Sequence, residues 1–223
     1  MADRISPSGP AKLVILPRTR AGLGRAGIRR YLETVHGPMV MDESDVSGRF
    51  TSYVHHYVQN LAPPNDVAIL QDHDAVTIIR TATLADLESS KANASYRKRI
   101  GPDEDNFRDI DGSVALLVEE LEVVPGVDDA SHKLFIFRHS MIYRTDEWAS
   151  RIGELVQLKR LRGATINHAK AVTGNFPYSQ FDEIGLPIAT DVNDLVSVLN
   201  KAALAHFGTI DTKMLFAETV RFI

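Results

Sequence analysis

Two stretches of the chain concentrate side chains that can move protons. RYLETVHGPMVM, residues 30–41, ends a helical pattern at His36 and follows it with Gly37 and Pro38. TSYVHHYVQN, residues 51–60, packs two histidines and two tyrosines into one run of strand-forming residues. An imidazole with an unperturbed pKa of ~6.5 gives or takes a proton near neutral pH. A phenol can donate a hydrogen bond to negative charge developing on an oxygen. The combination suits acid–base chemistry on an oxygen-bearing molecule.

Strand alternation sorts the second stretch. Thr51, Tyr53, His55, Tyr57 and Gln59 share one face; Ser52, Val54, His56 and Val58 share the other. The second, more apolar set suits packing against helices. The first set is polar and aromatic, and is expected to line a pocket closed by a second sheet, because buried polar groups need partners. His36, His55, Tyr53 and Tyr57 are the expected catalytic groups, and Tyr31, Thr51 and Gln59 the expected substrate contacts. At the end of a helix, His36 would be favoured as imidazolium by ~0.3–1 kcal/mol. The bland alternatives are a capping histidine and a solvated strand face.

Other chemistries lack their residues. The chain has 223 residues and no cysteine, which excludes disulfides and thiolate nucleophiles. His55 and His56 point to opposite faces of a strand and cannot chelate one ion, and no HExxH spacing occurs, so no metal site is expected. GLGRAG, residues 22–27, fits G-x-G-x-x-G, but the following strand pattern is antiparallel rather than parallel, which argues against a dinucleotide site. The net charge of −4 gives no basic excess for a nucleic-acid partner. YRKRIG, residues 96–101, reads as a solvated helix end, although a substrate carboxylate could use it. No apolar run reaches the ~20 residues of a membrane helix, and no secretory signal opens the chain, so a cytoplasmic location is expected.

The elements that must position these groups come in two similar sets. Residues 1–10 read as a tail. Strand patterns at KLVILPR, RFTSYVHHYVQN, HDAVTIIR and GSVALLVEELEVV alternate with helical patterns around residues 26–40 and 83–101, with NLAPPND as a loop. After a turn-rich break at 125–130 the pattern restarts at HKLFIFRHS, with Lys133–Leu134 echoing Lys12–Leu13. Asp74 precedes Asp86–Leu87 by twelve residues, as Asp182 precedes Asp194–Leu195, and Glu119 and Glu218 end the last apolar runs. The fold expected is α+β: two tandem ferredoxin-like βαββαβ units, residues 11–124 and 131–223, packed as a barrel-like sandwich with helices outside and a cavity between the sheets. In the second unit Asn167, His168 and Lys170 are expected to reach that cavity, His168 standing where His55 stands in the first.

Residues 11–124 resemble the EthD domain, of the dimeric α/β-barrel superfamily. The resemblance is carried by KLVILPRT, by VHGPMV after the first helix, by YVHHYVQN, and by HDAVTIIRTATLADL with DEDNFRDIDGSVALLVEELEV. Residues 131–223 resemble a degenerate second copy without the His-Gly-Pro. The resemblance implies a cofactor-independent enzyme acting on a small aromatic or polyketide-like substrate. A lyase (dehydration, decarboxylation or retro-aldol-type cleavage) is the leading expectation. A cofactor-free monooxygenase and a non-catalytic small-molecule-binding barrel are the alternatives. Such chains usually pair to complete the barrel; the duplication can supply that pairing internally, leaving a homodimer optional.

Overall fold

The computed structural model describes residues 9–60, 67–70, 73–139, 145–187, 191–207 and 212–223. Most of the expected N-terminal tail and of the NLAPPND loop lies outside these residues. The first half runs β1 (Ala11–Thr19), α1 (Gly24–Tyr31), α2 (Gly37–Asp42), α3 (Ser44–Ser47), β2 (Phe50–Val58), β3 (Ala75–Thr81), α4 (Leu84–Ala92), α5 (Gly101–Asp103) and β4 (Arg108–Val124). The second runs β5 (His132–Arg138), α6 (Thr145–Leu158), β6 (Gly163–Thr173), β7 (Gln180–Leu186), α7 (Val192–Phe207) and β8 (Thr212–Arg221).

The eight strands close an antiparallel barrel in the order β1-β3-β2-β8-β5-β7-β6-β4. Each half lays down its strands in the same spatial order, β4-β1-β3-β2 and β8-β5-β7-β6. The seams are β2 on β8 and β4 on β6. Among the described residues, closure gives every strand a neighbour on both sides. In β1, Pro17 cannot donate to a ladder, and the β1–β4 register shifts between Leu16 and Arg18.

Both faces of β2 are buried from Tyr53 to Val58, and this overturns the expected placement of the cavity. The barrel interior is packed: Val14, Leu16, Val76 and Leu116 meet Phe135, Phe137 and Leu215. One end of the interior holds charge instead. Lys133 Nζ donates to Glu183 Oε2 at 2.9 Å, Lys12 Nζ bonds Glu183, Glu120 and the Asn167 carbonyl oxygen, and Arg80 grips Glu120 through two bonds of 2.8 Å. Burial opposes ionisation of Glu183, but the two lysines outweigh it and hold the carboxyl well below the usual range.

The faces of β2 are therefore the reverse of those expected. Val54, His56 and Val58 point into the barrel, whereas Tyr53, His55 and Tyr57 point outward beneath the helices. His56 is fully buried, edge-on to Phe135 at 5.3 Å, with Nδ1 3.0 Å from Thr219 Oγ1. A face that meets helices and a face that meets a second sheet are equally dry, so polarity alone does not assign them.

The helix carrying His36 does not end there. Ile28 and Leu32 bury its apolar side. A π turn over Leu32–His36, closed by Gly37 N–H to Leu32 C=O, leads directly into α2. The wide turn accommodates Pro38, which lacks an N–H and would crowd the carbonyl four residues back. A second π turn, Tyr96–Ile100, stands before Gly101 and Pro102 in the same way. On the other side of the barrel, α6 buries Trp148, Ile152, Leu155 and Val156 at helical spacing against Leu134, Ile136 and Ile184.

Candidate active site

A cavity of about 90 Å³ lies between the outer face of β1–β4 and the helices of the first half. One water needs ~10–15 Å³ in this measure, so there is room for a small organic molecule. His36, Tyr53, His55 and Thr77 form its polar wall, and Leu13, Ile15, Ile79 and Phe107 much of its apolar wall. Lys91, Tyr96, Glu104 and Arg108 add polar groups from the second helical arm and the start of β4.

His36 is held from behind. Its Nδ1 lies 2.9 Å from Asp103 Oδ2, at the end of α5. The Tyr31 hydroxyl donates to Asp103 Oδ1 at 2.6 Å, and Asn106 Nδ2 donates to the same oxygen at 3.0 Å. The two π turns bring these groups together, each ending where a Gly-Pro follows. Burial pushes Asp103 upward, but the hydrogen bonds from Tyr31, His36 and Asn106 prevail and keep it an acceptor. An ionised carboxylate at Nδ1 fixes a proton there and leaves Nε2 bare. Among the described residues Nε2 has no hydrogen-bond partner. Burial lowers the His36 pKa, against the opposing pull of Asp103 and Glu104, so the ring is neutral at neutral pH. The helix-end argument for imidazolium fails because the helix continues to Asp42.

His55 is the second imidazole. Its Nδ1 lies 2.8 Å from Thr77 Oγ1, its partner across the β2–β3 ladder, and its Nε2 is buried without a partner. Burial, and then repulsion from His36, push its pKa down to about 3. Tyr53 packs edge-on to His55 at 4.8 Å, and burial raises its phenol far above the ordinary range. Tyr53 thus offers a proton in a hydrogen bond rather than a phenolate.

Phe222, just past β8, packs on both rings, 5.2 Å from His55 and 5.4 Å from Tyr53. It also explains Gly37: a Cβ there would stand 2.5 Å from the Phe222 ring and 2.7 Å from the Leu32 carbonyl oxygen. The C-terminal segment of the second half therefore packs behind two side chains that line the cavity.

The remaining expected residues are not gathered at the cavity. Tyr57 lies beneath α1, its ring 4.9 Å from the Arg29 guanidinium and its hydroxyl buried without a partner. Tyr31 stands behind His36, hydrogen-bonded to Asp103. Thr51 is exposed, and Gln59 bonds the Tyr57 carbonyl oxygen at 3.1 Å. Asn167 is inside the barrel on Lys12; His168 pairs with Glu119 across β4–β6; Lys170 bonds Glu119 at 2.6 Å on the surface. None of these three reaches the cavity, because β6 contributes to the opposite side of the barrel. Asp103, Phe222, Lys91 and Arg108 were not anticipated. The repeated Gly-Pro at 37–38 and 101–102 was the available signal for Asp103, since it marks two helical arms turning in the same way. Among the described residues no group of three His, Asp or Glu is placed to hold a metal ion, and no helix is long and apolar enough to cross a membrane.

A closed antiparallel eight-strand barrel with helices packed outside is the fold of the dimeric α/β-barrel class. An anthrone oxidase-like protein of known structure is similar over 99% of this chain and 94% of its own, with a TM-score of 0.61 and 11% identity. A candidate monooxygenase from Fusobacterium nucleatum gives a TM-score of 0.55 at 9% identity, covering 96% and 94% of the two chains. One from Lactobacillus acidophilus gives 0.52 at 9% identity with the same coverage. Identities this low establish the fold alone. Within that fold, residues 20–111 match the EthD domain family. The matched segment holds His36, Tyr53, His55 and Asp103. No curated protein sequence matches the chain.

Proposed function

We propose that the chain is an enzyme that withdraws a proton from a small hydroxylated aromatic or polyketide-like substrate in the cavity under α1, with His36 as general base. The observation that carries this reading is the His36–Asp103 pair: a buried imidazole on the cavity wall, held at Nδ1 by a carboxylate. Asp103 stabilises the imidazolium formed on proton transfer, as a carboxylate behind a catalytic histidine does. Tyr53 and His55 line the same cavity and supply hydrogen bonds to negative charge on the substrate oxygen. Elimination is the leading reaction: the protonated His36 returns its proton to the departing hydroxide, so that water is lost, or to the carbanion left when carbon dioxide departs.

A second reading is favoured by a specific observation. The solved structures named above are described as oxidase-like or as monooxygenases. The same deprotonation would prepare an electron-rich aromatic anion for attack by dioxygen. Anthrone is a suitable first substrate for this arm.

We read the two halves as tandem βαββαβ units, one with a site and one without. With Lys12 set on Lys133, Ile15 faces Thr77 across β1–β3 as Ile136 faces Asp182 across β5–β7. On this alignment the equivalent of His55 is Ile166, not His168, and Asp74 does not correspond to Asp182. Glu119 and Glu218 do correspond. In the second unit Asp182 bonds Arg138 through two contacts of 2.5 and 2.6 Å and accepts from Trp148 Nε1 at 3.0 Å.

Hydroxylated aromatic substrates are to be incubated with wild-type protein and His36→Gln while product mass and oxygen uptake are followed. Product without oxygen uptake, lost in the variant, supports elimination. Oxygen uptake lost in the variant selects the oxygenase. Turnover unchanged by the substitution removes His36 as the base.

A further inference from the structure

We infer that the cavity takes a substrate bearing a carboxylate, bound at its mouth by Lys91 and Arg108. The inference rests on the reading of this cavity as the substrate site, and it adds the substrate's charge.

Hydrogen-bond donors exceed acceptors at this end of the cavity. Glu104 is the acid that lines it, and both its oxygens are engaged: Oε1 accepts from the Tyr96 hydroxyl at 2.9 Å and Oε2 bonds Arg108. Arg108 still has a buried Nε–H without a partner. Lys91, exposed on α4, lines the same space and has no ion-pair partner among the described residues. Glu104 neutralises one of the two cations, leaving a single positive charge. Asp103 adds no charge to the cavity wall, because it lies behind His36 and is held by Tyr31 and Asn106.

An ammonium on a cavity wall without an acidic partner favours an anionic ligand. A group with two acceptor oxygens and one negative charge meets the Lys91 ammonium beside the Arg108 guanidinium. A carboxylate fits that description, while a dianionic phosphate would exceed the charge available. His36, His55 and Tyr53 line the same space and are left for the reacting part of the molecule. The apolar residues between suit an aromatic body.

Benzoate and its neutral counterpart benzamide are the probes, with binding to the intact protein measured by calorimetry. Benzoate is expected to bind at least about tenfold more tightly than benzamide, a difference that added salt reduces. Lys91→Met is expected to abolish the preference while leaving benzamide binding and the unfolding temperature unchanged, and Lys91→Arg to retain it. Equal binding of the two probes overturns the inference. So does absence of benzoate binding at millimolar concentration, or a preference that survives in Lys91→Met. The readout needs no turnover, so its failure is separable from that of the reaction. A benzoate preference with normal turnover in His36→Gln removes the proposed base and leaves the carboxylate site standing.

Discussion

Asp103 Oδ2 stands 2.9 Å from Nδ1 of His36, although 67 residues separate them in the chain. Two helical arms, each interrupted by a π turn before a Gly-Pro, deliver the pair to one wall of the cavity. With the proton on Nδ1 fixed by the carboxylate, the other nitrogen is available for chemistry.

His36→Gln is expected to lower kcat/KM by ~10²–10⁴ while preserving the fold, the range for loss of a general base. Asp103→Asn keeps the shape but replaces the carboxylate by an amide that can donate to Nδ1 and favour the wrong tautomer. Steady-state kinetics on any aromatic substrate the protein turns over checks both. A greater effect on kcat than on KM is expected in each.

Stability is expected to fall in acid through the buried imidazoles. Burial lowers the pKa of His36 and His56, and takes His55 down to about 3. In the unfolded chain each titrates near ~6.5. Between those limits the unfolded state binds more protons, so stability rises with pH. The contribution is fully present above ~6.5 and is lost as pH falls toward the folded-state values. Each such histidine adds a slope of up to ~1.4 kcal/mol per pH unit. Urea unfolding midpoints across this range test it: His55→Gln is expected to flatten the wild-type slope by about one proton.

Gly37→Ala is expected to destabilise by about 1–3 kcal/mol, because the new methyl would overlap the Phe222 ring. Pairing it with Phe222→Ala is expected to recover part of the loss, as a double-mutant cycle would show. A Gly37→Ala protein as stable as wild type would remove the proposed reason for glycine beside His36.

Lys12→Met tests the charged end of the barrel. It removes one of two lysines from Glu183 and one of two cations from Glu120. The expected loss is about 3 kcal/mol, the low end of the range for a broken buried pair, since Lys133 and Arg80 remain. Denaturant unfolding with an unchanged m-value checks it.

The strands and helices were legible in the sequence because their apolar periods are clean: β1 and β5 carry the continuous apolar runs LVIL and LFIF, and α6 repeats its core positions at helical spacing. The alternation of β2 was legible too, and it correctly set His55 with Tyr53 and apart from His56. What it did not reveal was which set met the helices. Both faces are covered, one by α1 and α2 and the other by the opposite wall of the barrel, so the usual contrast between wet and dry faces is missing. Register was the second limit. Matching His168 to His55 followed residue type; in the strand pairing His55 stands across from Thr77 and His168 across from Gln180. Asp103 lay in an acidic stretch, PDEDN, where nothing local distinguishes the carboxylate that faces His36. Phe222 contributes from the far end of the chain, through the β2–β8 seam that only barrel closure creates.

The protonation state of His36 tests the central claim most directly, and it can be read without a substrate. Two-bond proton–nitrogen correlation spectra of the imidazoles, assigned with His36→Gln, report which nitrogen carries the proton. The account predicts a neutral ring at pH ~7, protonated on Nδ1 and bare on Nε2, titrating below ~6.5. In Asp103→Asn the preference for Nδ1–H is expected to be lost. A ring already charged at neutral pH, or a neutral ring with its proton on Nε2, would contradict the assignment of His36 as the base.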